Sequence, residues 1–554
     1  MINLNLVLSF LSPSIFFKHI PFFLKNLLFL ILLQSPLKAQ GLADTGQILC
    51  NTAPSIMEVC SQANTGDNAF YPDQDGRYGR DAAAQAGVLV KIGGGHAGFD
   101  YTKVCNSGEK EGSGACPINP SLGNGDNNWG CTYDNITERL WEVKTSNVGL
   151  RLNGWTYSWY NTDNDSNGGD MGAENKGSCV NSIDKHNCDT EKYTAQVNAV
   201  GLCGFNDWRL PQPQELEGII NLNTKDPAID IGYFPNTKSG FYLSSVAYSI
   251  LSASCIHFYN GKITTCSKGN SHLVRLVRGG LLFNPLLEIC DANNANENTF
   301  VSTPSSDFIQ NGAVVRHKST GLTWSRCSLG GAWDSGTNHC TNTGSDNGRS
   351  SYSWKDALKE TEIRNNAHYL GFSDWRLPNF KELGSILETC GKNRAINQVI
   401  FPDTESVYWS ASSYILVPTK AWNINFNFGY ASFFTKSSLN SVRLVRGKQS
   451  FDLLNPVAVP PSLILETYKP PSLISKTYNN NHLFELAENK FPEFFTPSKS
   501  KTLTLDNWEY RYYSRTDTYL GILSENETYV LGDIFGSEIV KVGLRNELID
   551  ILIK

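Results

Sequence analysis

The segment from Asp163 to Glu174 reads Asp-Asn-Asp-Ser-Asn-Gly-Gly-Asp-Met-Gly-Ala-Glu, with oxygen-bearing side chains at alternate positions. Asp163, Asp165 and Asn167 could wrap a calcium ion, Gly168 could make the turn, and Glu174 could close the sphere with both oxygens. Asp170 stands where such loops carry an apolar residue, and the flanks do not read as a pair of helices. A solvated Asn/Asp/Gly loop therefore competes with weak calcium binding, and calcium is the one cofactor the sequence suggests. A calcium-bridged sugar site would need paired carboxylates beside a proline. Pro211-Gln212-Pro213-Gln214 only mimics that loop, and Asn379-Phe380 stands at the matching place later in the chain.

A second available chemistry is recognition of an anion. From Phe308 to Gly447 there are 15 Lys and Arg against 10 Asp and Glu, whereas from Ala83 to Gly279 there are 16 against 19. Lys392 and Arg394 fall in a turn, and Lys420 and Lys436 flank the segment that carries Trp422. These form the candidate face for a sulphated or otherwise anionic polysaccharide, with Trp409 or Trp422 offering a stacking surface. At alternating positions either tryptophan is equally a core residue. The Arg209/Asp207 and Arg376/Asp374 pairs, with Arg275, Arg278, Arg443 and Arg446, offer a ligand-facing basic row, but read rather as structural forks that bond carboxylates and loop carbonyls. The nine histidines fall in no HExxH, GxSxG or Cys/His setting, so no catalytic residue is assigned and no enzyme is expected.

The elements that must position these residues come from an internal repeat. Gly204-Phe205-Asn206-Asp207-Trp208-Arg209-Leu210-Pro211 recurs as Gly371-Phe372-Ser373-Asp374-Trp375-Arg376-Leu377-Pro378, and Val274 to Gly279 recurs as Val442 to Gly447. Between them lie Glu215-Leu216 and Glu382-Leu383, Phe234-Pro235 and Phe401-Pro402, then Tyr242 to Ser245 and Tyr408 to Ser412. Asp-Trp-Arg-Leu-Pro alternates as a short strand that proline stops. Leu216, Ile219 and Ile220, like Leu383, Ile386 and Leu387, are at helical spacing. The Tyr/Trp-rich run and the closing Val-Arg-Leu-Val-Arg alternate at period two, predicting a small antiparallel sheet. The fold class is therefore α+β, with two tandem modules of short helices and small sheets.

These landmarks resemble the C-terminal domain family of the Legionella collagen-like protein, whose members carry Trp-Arg-Leu-Pro, a Trp-Ser-Ser-like strand and a closing Val-Arg-x-Val-Arg-Gly. Leu42 to Gln47 with Cys50 and Cys60, Asp134 to Thr137 before Leu140-Trp141-Glu142, and Cys327 to Cys340 before Tyr352-Ser353-Trp354 fit as well. The resemblance covers roughly Leu42 to Gly447. It implies a C-type-lectin-like fold, and the family's named member is a surface adhesin of sulphated polysaccharides, so a binding or adhesion protein for polysaccharide or glycoconjugate is expected; the residues at Pro211 to Gln214 and Asn379-Phe380 argue against lectin-type calcium chemistry. Trp-Arg-Leu-Pro-x-x-x-Glu before a closing Arg-Gly strand also resembles the formylglycine-generating enzymes, which act through a cysteine pair absent near the second closing strand. That enzyme class and a purely structural envelope component are the alternatives.

Lys25, the apolar run Leu27 to Leu33 and Ala39 read as a secretory signal. The run is well short of a membrane span, and nothing after Gln40 reaches that length, so a secreted or cell-surface protein is expected. Fourteen cysteines without zinc-site spacing agree with an oxidising compartment. Cys327 is expected to pair with Cys340, and Cys255 with Cys266 across the Asn260-Gly261 turn. A formal charge of −6 gives no field for nucleic acid, while an oligomer stays open. The expected order is a signal peptide 1–39, a first module 41–280 with insertions, a connector 281–307, a second module 308–448, a proline-containing linker 449–481 and a small mixed α/β module 482–554. A helix from His482 and strands Trp508 to Tyr513, Thr518 to Leu523 and Thr528 to Leu531 are expected in the last.

Overall fold

The computed structural model describes residues 42–60, 71–179, 187–279, 301–342, 351–388 and 394–447, and by backbone alone five strands between 501 and 544. The expected signal peptide, most of the connector, Lys392, the proline-containing linker and the expected helix from His482 lie outside the described residues. All described residues belong to one compact unit, Gln40–Lys554. Among them no helix is long and apolar enough to cross a membrane.

A hairpin, β1 (Leu49–Ala53) with β2 (Ile56–Val59), opens the described chain, and helix α1 (Gly79–Gln85) follows. The first copy of the repeat then builds β3 (Tyr101–Cys105), β4 (Trp129–Asp134), β5 (Arg139–Glu142) and the two-residue β6 (Tyr157–Ser158). Helices α2 (Thr190–Val200) and α3 (Pro213–Gly218) come next, then β7 (Phe241–Ser249), β8 (Ser252–His257), β9 (Lys262–Ser267), β10 (Ser271–His272) and β11 (Val277–Arg278). The closing strand returns to the opening ones, giving an antiparallel sheet in the order β11-β5-β4-β3, while β7-β8-β9 forms a second sheet.

The second copy repeats this plan. It runs through β12 (Phe308–Asn311), β13 (Val314–His317), β14 (Thr323–Ser325), and the hairpin β15 (Gly331–Asp334) and β16 (His339–Asn342). Helices α4 (Trp354–Asn366) and α5 (Phe380–Gly384) precede β17 (Val407–Ser413), β18 (Lys420–Asn425), β19 (Tyr430–Thr435) and β20 (Val445–Arg446). Its sheets are β12-β13-β14-β20 and β17-β18-β19. Local sequence explains the helix starts. The Asp189 carboxylate accepts from Lys192 N–H at the head of α2, Ser353 accepts from Asp356 N–H at the head of α4, and Asn379 with Glu382 forms a capping box on α5.

The Asp-Trp-Arg-Leu-Pro runs are not regular strands. Each makes a single bridge to the closing strand, Arg209 to Val277 and Arg376 to Val445. Proline after two further residues denies the ladder a donor, and side chains take over the backbone groups. Asn198 and Asn365 each accept from a tryptophan N–H at 2.7 Å, and the indoles of Trp208 and Trp375 donate to Leu202 O and Tyr369 O at 3.0 and 2.7 Å.

The two copies share one apolar core. Leu216, Ile219 and Ile220 from the first pack in the same buried cluster as Phe380, Leu383 and Ile386 from the second. Helices α3 and α5 meet at this seam, where Lys381 Nζ donates to Gly218 O at 2.9 Å and to Asp44 O at 2.7 Å. A Cβ on Gly384 would stand 2.6 Å from the Glu217 carboxylate, so glycine lets the helices approach. The described stretches 42–60 and 71–86, which precede the first copy, are strapped onto the second. Gln47 pairs with both backbone groups of Ser413, Thr361 donates to Asp73, and the Tyr71 ring packs on Trp354.

Five antiparallel strands, β21 (Lys501–Leu505), β22 (Trp508–Tyr513), β23 (Thr518–Leu523), β24 (Thr528–Asp533) and β25 (Ile539–Leu544), pair in sequence order as a meander. The three strands expected there are flanked by two more.

Candidate functional site

The arginines of the repeat are committed to the frame. Arg209 grips Glu215 with both terminal nitrogens at 2.7 Å, and Arg376 grips Glu382 at 2.5 and 2.6 Å. Burial raises the Glu215 carboxyl, but the hydrogen bonds of Arg209 and the charge of Arg139 outweigh it and hold the group below its ordinary range. Arg275 donates to Glu142 O and Thr237, and Arg443 donates to Ser325 O and Thr404, tying each closing strand to the loop beside it. Arg278 and Arg446 pair with Asp207 and Asp374 at the surface.

A second matched device is a lysine over a tryptophan. Lys268 Nζ lies 4.5 Å from the Trp159 ring and Lys436 Nζ lies 4.1 Å from the Trp354 ring. The two indoles donate to equivalent carbonyls, Ser244 O and Ser410 O. Each ammonium then fastens an accessory segment. Lys268 donates to Asn167 O and Asp170 O at 2.7 and 2.9 Å, while Lys436 donates to Asn51 Oδ1 at 2.5 Å and Ser413 Oγ at 3.0 Å. Burial lowers Lys268 to about 8 and Lys436 to about 6.

This device places one pocket against each Arg-Leu pair. In the first copy a cleft of roughly 340 Å³ lies between α2 and the start of β7, with Tyr160, Thr194, Arg209, Leu210 and Ser245 on its walls. In the second copy a pocket of roughly 400 Å³ lies under the strap, with Asp44, Asp75, Tyr78, Arg376, Leu377 and Ala411 on its walls. Arg209 and Leu210 match Arg376 and Leu377, and Ser245 matches Ala411, since both donate their N–H to the proline carbonyl of the repeat. The chemistry differs with the wall. The strap brings Asp44, Asp75 and Asp81, all buried. Burial, with the charge of Asp44 beside it, pushes Asp75 up to about 7 against the pull of Ser412 and Thr45.

The residues nominated from sequence are distributed otherwise than expected. The Asp163 to Glu174 loop does not converge on a cation position. Asp163 accepts from Asp165 N–H and Ser166, Asn167 Oδ1 accepts from Gly169 N–H, Glu174 pairs with Lys192, and the Lys268 ammonium holds two of the loop carbonyls. Among the described residues no group of three or more acidic, His or Cys side chains could hold a metal. Lys436 is no ligand-facing cation, because it is buried beneath the strap. Trp422 is 1 % exposed and Trp409 is fully buried, so neither offers a stacking face. Arg394 donates to Asn427 Oδ1, and Lys420 Nζ lies 5.2 Å from the Phe433 ring, which leaves two half-buried cations on that face among the described residues.

Disulfides Cys255–Cys266 and Cys327–Cys340 are formed, with Cys50–Cys60, Cys105–Cys116, Cys131–Cys203 and Cys179–Cys188 beside them. Sequence reasoning missed the cleft residues Tyr160, Thr194 and Ser245. The offset of Thr194 from Trp208, equal to that of Thr361 from Trp375, was the available signal.

No curated protein shows a match to the chain. The sequence profile of the Lcl C-terminal domain matches residues 130–278 and 313–446, two stretches that together make up half of the chain. Both begin and end on the paired sheets and helices just described, so the chain belongs to the Lcl C-terminal domain family, with two tandem copies.

Proposed function

We propose that this is a secreted or cell-surface binding and adhesion protein that recognises polysaccharide or glycoconjugate. The C-type-lectin-like reading of each copy is supported by a closing strand that returns to its opening strands beside a second small sheet. Export is supported by the disulfides, since such bonds persist in oxidising compartments. The observation that carries the reading is the first-copy cleft. It combines an apolar floor at the half-buried Leu210 with a half-buried tyrosine and several hydroxyls, the mixture that fixes a sugar ring by its C–H face and its hydroxyl edge.

Binding of the intact protein to a glycan panel, with and without Tyr160→Ala, tests this. Tyr160 lies on the cleft wall outside the buried cores, so its removal is expected to weaken glycan binding at least tenfold while leaving the melting temperature in place. Retained binding in that variant rejects the cleft as the site.

A further inference from the structure

The cleft of the first copy also carries information about ligand charge. Two ionic side chains line it, Arg209 and Glu191. Arg209 is spent on Glu215, with further contacts to Leu210 O and Gly279 O at 3.3 Å each. Arg139 shares the same carboxylate at 2.9 Å, and Glu191 on the opposite wall supplies an offsetting negative charge. Glu191 itself accepts from Thr162 N–H at 3.0 Å and from the Thr162 hydroxyl at 2.8 Å. The nearby cations are committed too: Lys192 pairs with Glu174 and Asp189, and Lys268 holds loop carbonyls.

An entering sulphate or carboxylate would therefore find no uncommitted guanidinium or ammonium on the lining and would face Glu191. Two neutral groups have the opposite status. Tyr160 and Ser245 line the cleft, and neither side-chain hydroxyl has a hydrogen-bond partner among the described residues. Each is both donor and acceptor, which matches a sugar hydroxyl and not a bare anion.

We propose that this cleft takes an uncharged saccharide, held through the Tyr160 and Ser245 hydroxyls over the Leu210 floor, and that it discriminates against sulphated and carboxylated chains. The proposal rests on the glycan reading above and names its ligand class. It also moves recognition away from the basic second copy, whose excess charge is partly locked beneath the strap.

The test uses the intact chain, with heparin as the anionic probe and a set of neutral oligosaccharides (maltoheptaose, chitotetraose, mannohexaose), each at 0.05 M and 0.5 M salt. At least one neutral glycan is expected to bind with less than a twofold change between the two salts, because no ionic contact is made. Tyr160→Phe and Ser245→Ala, which each remove one hydroxyl and little volume, are expected to weaken it about fivefold apiece. Heparin binding that drops in Tyr160→Ala and falls tenfold with salt would overturn the uncharged-ligand proposal while leaving the glycan reading standing. If a glycan binds but does not respond to Tyr160→Ala, the cleft is rejected as its site and this proposal falls; if no glycan of either kind binds, the glycan reading falls as well.

Discussion

The two copies have the same frame and different walls. In both, an arginine fork fixes the helix after Trp-Arg-Leu-Pro, and a lysine lying over a tryptophan fastens an accessory segment beside that fork. In the first copy the accessory segment is the copy's own Asn/Asp-rich insertion, and the pocket it leaves is open and rich in hydroxyls. In the second it is the chain's distant amino-terminal strap, and the pocket is lined by buried carboxylates. Duplication has thus kept the elements that hold the backbone and exchanged the elements that wall the pockets.

The sharpest way to break the comparison is to remove the carboxylate from each fork. Glu215→Ala and Glu382→Ala each take the carboxylate from a half-buried guanidinium, at an expected cost of about 3–5 kcal/mol. Glu215 also holds Arg139, whose side chain is 4 % exposed, so the first-copy variant should be the worse. Chemical denaturation measures both, and equal, small losses would contradict a shared structural role.

One cross-link has been exchanged between the copies. Cys131–Cys203 in the first is replaced in the second by Val314 and Leu370, which pack against the apolar cluster there; Cys203 and Leu370 share a positive φ of 51° and 52°. Cys131→Ser/Cys203→Ser closes off no 72-residue loop and is expected to cost about 4 kcal/mol, against about 3 kcal/mol for the 11-residue Cys255–Cys266. Melting of the two double variants without reductant decides the order.

The pocket walls should also titrate differently. With its folded pKa raised to about 7 from an ordinary 3.8, Asp75 keeps a proton in the folded state that the unfolded chain has released. Its contribution therefore favours folding at acid pH and is lost as pH rises from about 4 through 7. Asp75→Asn is expected to flatten the stability profile in that window by a few kcal/mol. Lys268 has the opposite sign, because its folded pKa is lowered to about 8, so the stability linked to it rises as pH climbs from 8 toward 10.5. A profile unchanged by Asp75→Asn would show the strap carboxylates to be ordinary surface acids.

The smallest effect concerns calcium. Because Lys268 already holds the Asn167 and Asp170 carbonyls and Lys192 pairs with Glu174, millimolar calcium should leave the melting temperature unchanged. A clear upward shift, abolished by Glu174→Gln, would restore the ion.

Much of the frame was legible in the sequence. The repeat, the short helices after each proline, the arginine forks and two local disulfides follow from motif spacing, because each joins residues close in sequence or matched between copies. The accessory walls were not legible. The strap reaches the second copy from more than 300 residues away, as in Gln47 with Ser413, and no local pattern encodes such a pairing. The spacing of the Asp163 to Glu174 loop does not reveal Lys268, 94 residues beyond Glu174, which takes the Asn167 and Asp170 carbonyls. Lys436 and Trp422 looked like surface chemistry for the same reason: their burial depends on the strap and on the α5 packing, not on their neighbours in the chain.

The central claim is that glycan recognition belongs to the cleft of the first copy and not to the carboxylate-lined pocket of the second. Filling each pocket in the intact protein tests it most directly, with Ser245→Trp on the first cleft and Ala83→Trp on the second pocket, followed by a binding isotherm for a neutral oligosaccharide. The account predicts binding weakened at least tenfold by Ser245→Trp and unchanged by Ala83→Trp. Loss confined to Ala83→Trp, or equal loss in both, would contradict it.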